Sequence, residues 1–352
     1  MHMVHGRAQH YAWGDMSAIP DMVGEQPDGQ PWAEWWMGTH PLAPSTVDDG
    51  SPLQSIAGEL PYLLKLMAAA QPLSLQTHPD HLRAESGYEH EEALGIARDS
   101  PQRTYRDRFA KPEMLCALTT FDTLCGFRPI DETIALLHDI EAHDLAESLQ
   151  HNKLATTVEA VYRRQFDITS TIAACRRHDG VEANLVAELA DAYPDDPSVA
   201  VTLLLNRVLL GPDEAVFLGP GNLHAYLRGF GVEVMANSDN VVRGGMTVKH
   251  VDIEELLDVL DFEPLKQPVV RAVESEPGWW RYLTPNTPDT PFALSRCEIR
   301  AGARRRHQAV GRELVLFVSG ARRGECQFLA DGETTNLAGP TSIFVVQEPI
   351  ES

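Results

Sequence analysis

The segment Leu73-Ser74-Leu75-Gln76-Thr77-His78 constrains this chain more than any other. It alternates with period two until Pro79 stops it, so it is expected to be a strand. Side chains two apart on a strand share a face. Ser74, Gln76 and His78 therefore lie together, opposite Leu73, Leu75 and Thr77. A face made of hydroxyl, amide and imidazole is costly to bury unless something binds it. The run 111–118 alternates in the same way and sets Lys111 beside Glu113, backed by Pro112 and Met114. A third segment turns at Gly219-Pro220-Gly221 into Asn222-Leu223-His224, and His224 shares its face with Tyr226.

Gln76, His78, Glu113 and His224 together offer two imidazole nitrogens, a carboxylate and an amide oxygen. Such a set suits zinc, with a further position left for water or substrate. Its spread over two strands and a later one is what a barrel interior produces. Each residue also has an ordinary role open to it, as a satisfied core histidine, a strand amide or a surface carboxylate, and spacing alone does not choose.

In 237–249, Arg243 is followed by Gly244 and Gly245, which let the backbone approach a ligand closely. Lys249 lies just before a short helix expected at 253–260, with Asp252 as N-cap and Glu255 three residues on as a capping box. The amides of that helix start could help to hold an anion. With a formal charge of −22, the chain repels anions globally, so an anionic substrate needs local cations. Arg243, Lys249 and Lys111 are the candidates. The same charge argues against nucleic-acid and anionic-membrane partners. No stretch approaches ~18 consecutive apolar residues, and residues 1–13 lack the apolar core of a signal peptide. Five scattered cysteines without a CxxC pair are expected to be reduced thiols of a cytoplasmic protein.

Strand and loop character fills 1–127, with an exposed helix at 79–97. Helical patterning follows, with Asp131 as its first N-cap and apolar stripes through 158–175, 181–192 and 199–210. Its polar residues show no acid–base or ligand spacing, so this block is expected to be structural. Strand character returns at 214–218. The proline-rich stretch 262–291 is expected to be an ordered crossing. Beyond it, alternating runs at 314–318, 326–329 and 343–346 between Gly turns suggest a small all-β barrel.

Seven stretches, in order, resemble the type I phosphomannose isomerases. They are Tyr11-Ala12-Trp13-Gly14-Asp15, Ala33-Glu34-Trp35-Trp36-Met37-Gly38-Thr39-His40-Pro41, Leu60-Pro61-Tyr62-Leu63-Leu64-Lys65, Pro72 to Asp80, Lys111-Pro112-Glu113-Met114, Gly221 to Tyr226, and Glu233 to Gly245. The last is the most specific. The resemblance implies a mainly β protein with an α-helical insertion, built on cupin (jelly-roll) barrels. Residues 1–128 and 212–261 would form the catalytic barrel, 129–211 a helical domain, and 262–352 a linker and a second barrel without metal. It also implies one zinc held by Gln76, His78, Glu113 and His224. Arg243 matches the active-site arginine, Ser74 and Lys249 lie near the phosphate, and Lys111, Tyr226 and Glu233 surround the site, with the proton carrier left open.

The implied activity interconverts mannose 6-phosphate and fructose 6-phosphate through an enediolate, in a monomer whose partner is the small sugar phosphate. Two departures stand out. Ala110 occupies a position where many members carry a histidine, and the C-terminal region, with Arg304-Arg305-Arg306, is supported by its β pattern alone. Two rival functions are a cupin metal oxygenase, which a Gln ligand fits poorly, and a non-catalytic sugar-phosphate binding module, which has no need of Lys111, Glu233 and Arg243 together.

Overall fold

The computed structural model describes residues 1–284 and 289–349. The apolar strand Tyr62–Ala69 is buried at every position, as a strand covered on both faces must be. It lies inside an 11-stranded sheet whose main path runs Val269–Val270, Ala215–Leu218, Glu113–Ala117, His224–Ala236, Tyr62–Ala69, Glu34–Gly38, Arg7–Gln9. Leu75–Thr77, Val242–Gly245, Phe121–Phe127 and Leu205–Leu210 attach beside that path. The strand order is an open path rather than a ring.

The long strand His224–Ala236 organises this sheet. Its first half pairs with Leu75–Thr77 and Phe121–Phe127, its second with Tyr62–Ala69 and Glu113–Ala117. Between the halves, Gly229 has φ +146, and a Cβ there would lie 2.6 Å from the Phe121 ring. Only glycine meets both demands. One strand thereby carries His224, Tyr226 and Glu233.

An 8-stranded sheet built mainly from 272–347 also takes in His2–His5 and Thr46–Val47, so the start of the chain pairs within the sheet of its end. The two sheets share a core that includes Val4, Tyr62, Leu64, Val232, Phe344 and Val346. Tyr62 Oη donates to the Arg312 carbonyl at 2.9 Å. The crossing at 262–291 is more than a linker. Ala272–Glu276 and Trp279–Tyr282 form a hairpin on the edge of this sheet, where prolines outside the paired residues do no harm. Residues 285–288 of the crossing lie outside the described residues.

The helical block holds Ile130–Asp139, His143–His151, Leu154–Tyr162, Ile168–Arg177, Val181–Ala192 and Ser198–Val201 around a core that it shares with Leu75, Leu124, Ala225 and Val242 of the strands. Three expectations are corrected. The first helix starts after Pro129, and Asp131 sits inside its first turn, where an acid favours the helix dipole. The stretch 158–175 is split near Arg164, whose φ is +57. The stretch 199–210 is helical only to Leu204 and then becomes the strand Leu205–Leu210, paired with Phe121–Phe127. A short apolar run carries no periodicity that separates helix from strand.

The block grips the Arg243 strand. Tyr162 Oη donates to the Gly244 carbonyl at 2.6 Å, and Met246 N donates to Asp196 Oδ2 at 2.8 Å and Ser198 Oγ at 3.1 Å. Asp252 caps the helix Ile253–Val259 by accepting from Glu255 N at 3.1 Å. The five cysteines are unpaired and buried. Among the described residues no helix is long and apolar enough to cross a membrane.

Candidate metal centre and active site

The strands Glu113–Ala117 and His224–Ala236 and the residue just past Leu75–Thr77 bring His78, Glu113 and His224 together, with ligand-capable atoms all within 4.8 Å of one another. His78 Nε2 lies 3.3 Å from Glu113 Oε1, and His224 Nε2 lies 3.8 Å from Glu113 Oε2. Both imidazoles are fully buried, yet neither Nε2 has an aligned hydrogen-bond partner. Buried nitrogens without partners are expensive, and a cation between them removes the cost. Each ring is fixed from behind: His78 Nδ1 faces the Asn240 carbonyl at 2.8 Å and His224 Nδ1 the Asn222 carbonyl at 2.9 Å. A carbonyl only accepts, so Nδ1 carries the proton and the Nε2 lone pair points at Glu113.

Electrostatics suits the same end. Burial, with His78 beside it, pushes the His224 imidazole down to about 4 and keeps it neutral. Burial works to raise Glu113, but Lys111, whose Nζ is 3.1 Å away, and His78 hold the carboxyl well below its usual range. The centre thus presents a neutral His224 imidazole, the His78 imidazole with its Nε2 toward Glu113, and one ionised carboxylate, a donor set that fits zinc. Gln76 stands opposite His224 and Arg243 in the strand register. Gln76 and Ser74 are half-buried, and neither side chain has a hydrogen-bond partner among the described residues.

A second polar cluster lies on the adjoining strands. Glu233 and Lys65 are direct cross-strand neighbours, with Lys65 Nζ 3.1 Å from Glu233 Oε2 and 3.3 Å from Glu34 Oε1. Tyr226 Oη donates to Glu233 Oε1 at 2.8 Å, and Trp36 Nε1 donates to Glu34 Oε2 at 2.9 Å. Burial opposes the Lys65 charge, yet Glu233 and Glu34 raise its pKa. Glu233 is pushed up to about 7 by burial and by the nearby Glu113 and Glu34 carboxylates, against the pull of Lys65. Burial and Glu233 raise the Tyr226 phenol.

A model of the phosphomannose isomerase type I catalytic domain matches residues 1–130. Mannose-6-phosphate isomerase of Escherichia coli K12 is 37% identical over 303 residues, covering 76% of this chain and 78% of that protein. The chain belongs to the mannose-6-phosphate isomerase family. The Arabidopsis thaliana member mannose-6-phosphate isomerase 1 is 32% identical over 351 residues, covering 86% of this chain and 78% of that protein. A crystal structure of the Salmonella typhimurium isomerase bound to fructose 6-phosphate and zinc superposes with a TM-score of 0.86 at 31% identity, covering 99% of this chain and 100% of that one. The architecture is the family's cupin fold, mainly β with helices. The likeness extends through the C-terminal region, where the sequence offered only a β pattern.

Of the residues singled out in the sequence, His78, Glu113, His224 and Lys111 form one cluster and Tyr226 and Glu233 another. Arg243 is half-buried, and Lys249 lies exposed at the end of its segment. Lys65, Glu34 and Asn240 were missed as site residues, although all three stand inside the quoted stretches. A lysine within the apolar run 61–70 was the available signal, because a lysine is buried only when paired.

Proposed function

We infer that the chain interconverts mannose 6-phosphate and fructose 6-phosphate at one zinc per chain. The carrying observation is the pair of buried, unpartnered Nε2 atoms facing an ionised Glu113, in a fold shared with a zinc- and fructose-6-phosphate-bound isomerase. His78, Glu113 and His224 hold the metal, with Gln76 as fourth ligand. Zinc bound there supplies Lewis-acid polarisation of the substrate oxygens. Lys111 keeps Glu113 ionised, and the Asn240 and Asn222 carbonyls keep both rings in the ligating tautomer.

Proton transfer falls to Glu233. A carboxyl near 7 populates both protonation states at neutral pH, as a group that takes and returns a proton requires. Lys65 and Tyr226 each occupy one of its oxygens and fix its orientation, leaving further lone pairs for the substrate. Removal of the C2 proton by Glu233 leaves an enediolate with its negative charge on the substrate oxygens. Return of that proton to C1, with the O2 hydroxyl proton passing to O1, gives the ketose. The Arg243 guanidinium stabilises the charge as it develops, while Ser74 and Lys249 hold the phosphate.

We read the chain as a monomer, and its formal charge of −22 disfavours nucleic-acid and anionic-membrane partners. Five unpaired cysteines fit a reducing compartment, the cytoplasm. The helical domain at 129–211 serves as a wall that fixes the Arg243 strand, and the C-terminal sheet carries no metal. The test is turnover of mannose 6-phosphate against a panel of aldose phosphates, with metal analysis of the same protein. Absence of isomerisation in zinc-replete protein would return the binding-module alternative.

A further inference from the structure

We propose that Arg106 is a third cation of the substrate's phosphate site, seated there by the buried side chain of Asn240; this role rests on the site being one for an anionic sugar phosphate. Arg106 stands in the irregular loop that leads into Glu113–Ala117. Irregular loops are ordinarily mobile, but this one is held. Asn240 Oδ1 accepts from Arg106 N at 2.7 Å and Asp107 N at 3.2 Å, while its Nδ2 donates to the carbonyls of Asp107 and Phe109, both at 2.9 Å. Asn240 is fully buried. The Asp107 carboxylate in turn accepts from Ser238 Oγ and Asp239 N, each at 2.8 Å.

The backbone is therefore fixed on both sides of Arg106, while its guanidinium makes no ion pair or hydrogen bond among the described residues. Elsewhere in this acidic chain Arg83, Arg103, Arg207 and Arg312 each hold a carboxylate. Arg106 instead sits within electrostatic range of Arg243 and Lys249. Burial and then Arg106 depress Arg243, and burial, Arg243 and Arg106 depress Lys249. Asp239, a carboxylate within electrostatic range of Arg106, lies 3.4 Å from His40 Nε2. Arg106, Arg243 and Lys249 repel one another at rest, offset only in part by Asp239, whose carboxylate also serves His40 and Lys111. A phosphate dianion placed among them removes that repulsion and gains charge-assisted hydrogen bonds. The Asn240 carbonyl also orients His78, so a single residue sets both the phosphate end and the metal end of the site.

Steady-state kinetics on zinc-replete Arg106→Gln, and calorimetric titration of the same protein with inorganic phosphate, test this. The expected result is a rise of ~10-fold or more in the Michaelis constant for mannose 6-phosphate and a matching loss of phosphate affinity, with turnover within ~3-fold and zinc unchanged. Arg106→Lys should recover part of both, and Arg164→Gln, on the exposed face of the helical block, should change neither. Unchanged affinity for both anions overturns the proposal, as does a turnover loss with an unchanged Michaelis constant. A variant that fails to fold also overturns it, since a guanidinium without a protein partner has no folding role. If wild type binds phosphate but does not isomerise mannose 6-phosphate, the isomerase assignment falls and the phosphate titration still decides Arg106.

Discussion

The Asn240 carbonyl accepts a hydrogen bond from His78 Nδ1 at 2.8 Å across a sequence separation of 162 residues. The bond decides which imidazole nitrogen remains free, so a loop far along the chain sets the metal-binding competence of a strand near its start.

Zinc should therefore follow the imidazoles. His78→Ala and His224→Ala should each lose the metal in elemental analysis, while His307→Ala, in the separate two-stranded ribbon of Arg304–Gln308 and Thr334–Ala338, should keep it. Chelation should abolish turnover and lower the melting temperature, because a metal that binds only the folded chain stabilises it by ~2.7 kcal/mol at 100 times its Kd. Retained zinc in either of the first two variants would rule out this ligand set.

Lys65→Met should leave Glu34 and Glu233 without their shared counter-charge in the interior. Removing one partner of a buried ion pair costs ~3–5 kcal/mol, measurable by urea unfolding at pH 7. Adding Glu233→Gln should restore part of the loss, since one of the stranded charges is then gone. A single variant as stable as wild type would count against a charged Lys65.

The pH dependence follows from Glu233 at about 7. As the base, Glu233 must be ionised, so kcat/KM should fall as pH drops through about 7, and Glu233→Gln should abolish this acid limb along with most activity. Stability runs the other way. Between the ordinary carboxyl value of 4.5 and about 7 the folded state binds the extra proton, so this group's contribution to stability is present below 4.5 and is lost as pH rises through 7. A pH–rate profile flat from 6 to 8 would remove Glu233 from the proton transfer.

Arg243→Ala should lower turnover by ~10²–10³, the loss typical of a donor to a developing oxyanion, with zinc content unchanged. Arg243→Lys should recover activity only in part, because lysine lacks the planar two-pronged donor. A raised Michaelis constant with unchanged turnover would confine Arg243 to ground-state binding.

Gly245→Ala should damage the same site from the side. Gly245 has φ +134, and a Cβ there would lie 2.0 Å from Ser198 Oγ. Relief requires the helical block to move off the Arg243 strand, so both stability, by about 1–3 kcal/mol, and turnover should drop. Unfolding curves and kinetics that match wild type would show that this contact does not position Arg243.

Alternation in 73–78 and 111–118 was enough to place strands there, seen at Leu75–Thr77 and Glu113–Ala117, because side-chain direction in a strand is a local property. The capped helix at 253–259 and the helix Val181–Ala192 were legible for the same reason, as caps and periodicity act within a few residues. What no local pattern contained was which faces meet. The pairing of Lys65 with Glu233 depends on cross-strand register between residues 168 positions apart, and the fixing of His78 and the Arg106 loop by Asn240 depends on a contact of the same kind. Leu205–Leu210 became a strand, and His2–His5 joined the far sheet, because a sheet edge was there to pair with. The composition of the site was written in short motifs, but its protonation and orientation were decided by contacts that exist only once distant strands have closed around a shared interior, where an unpaired charge or nitrogen is too costly to leave alone.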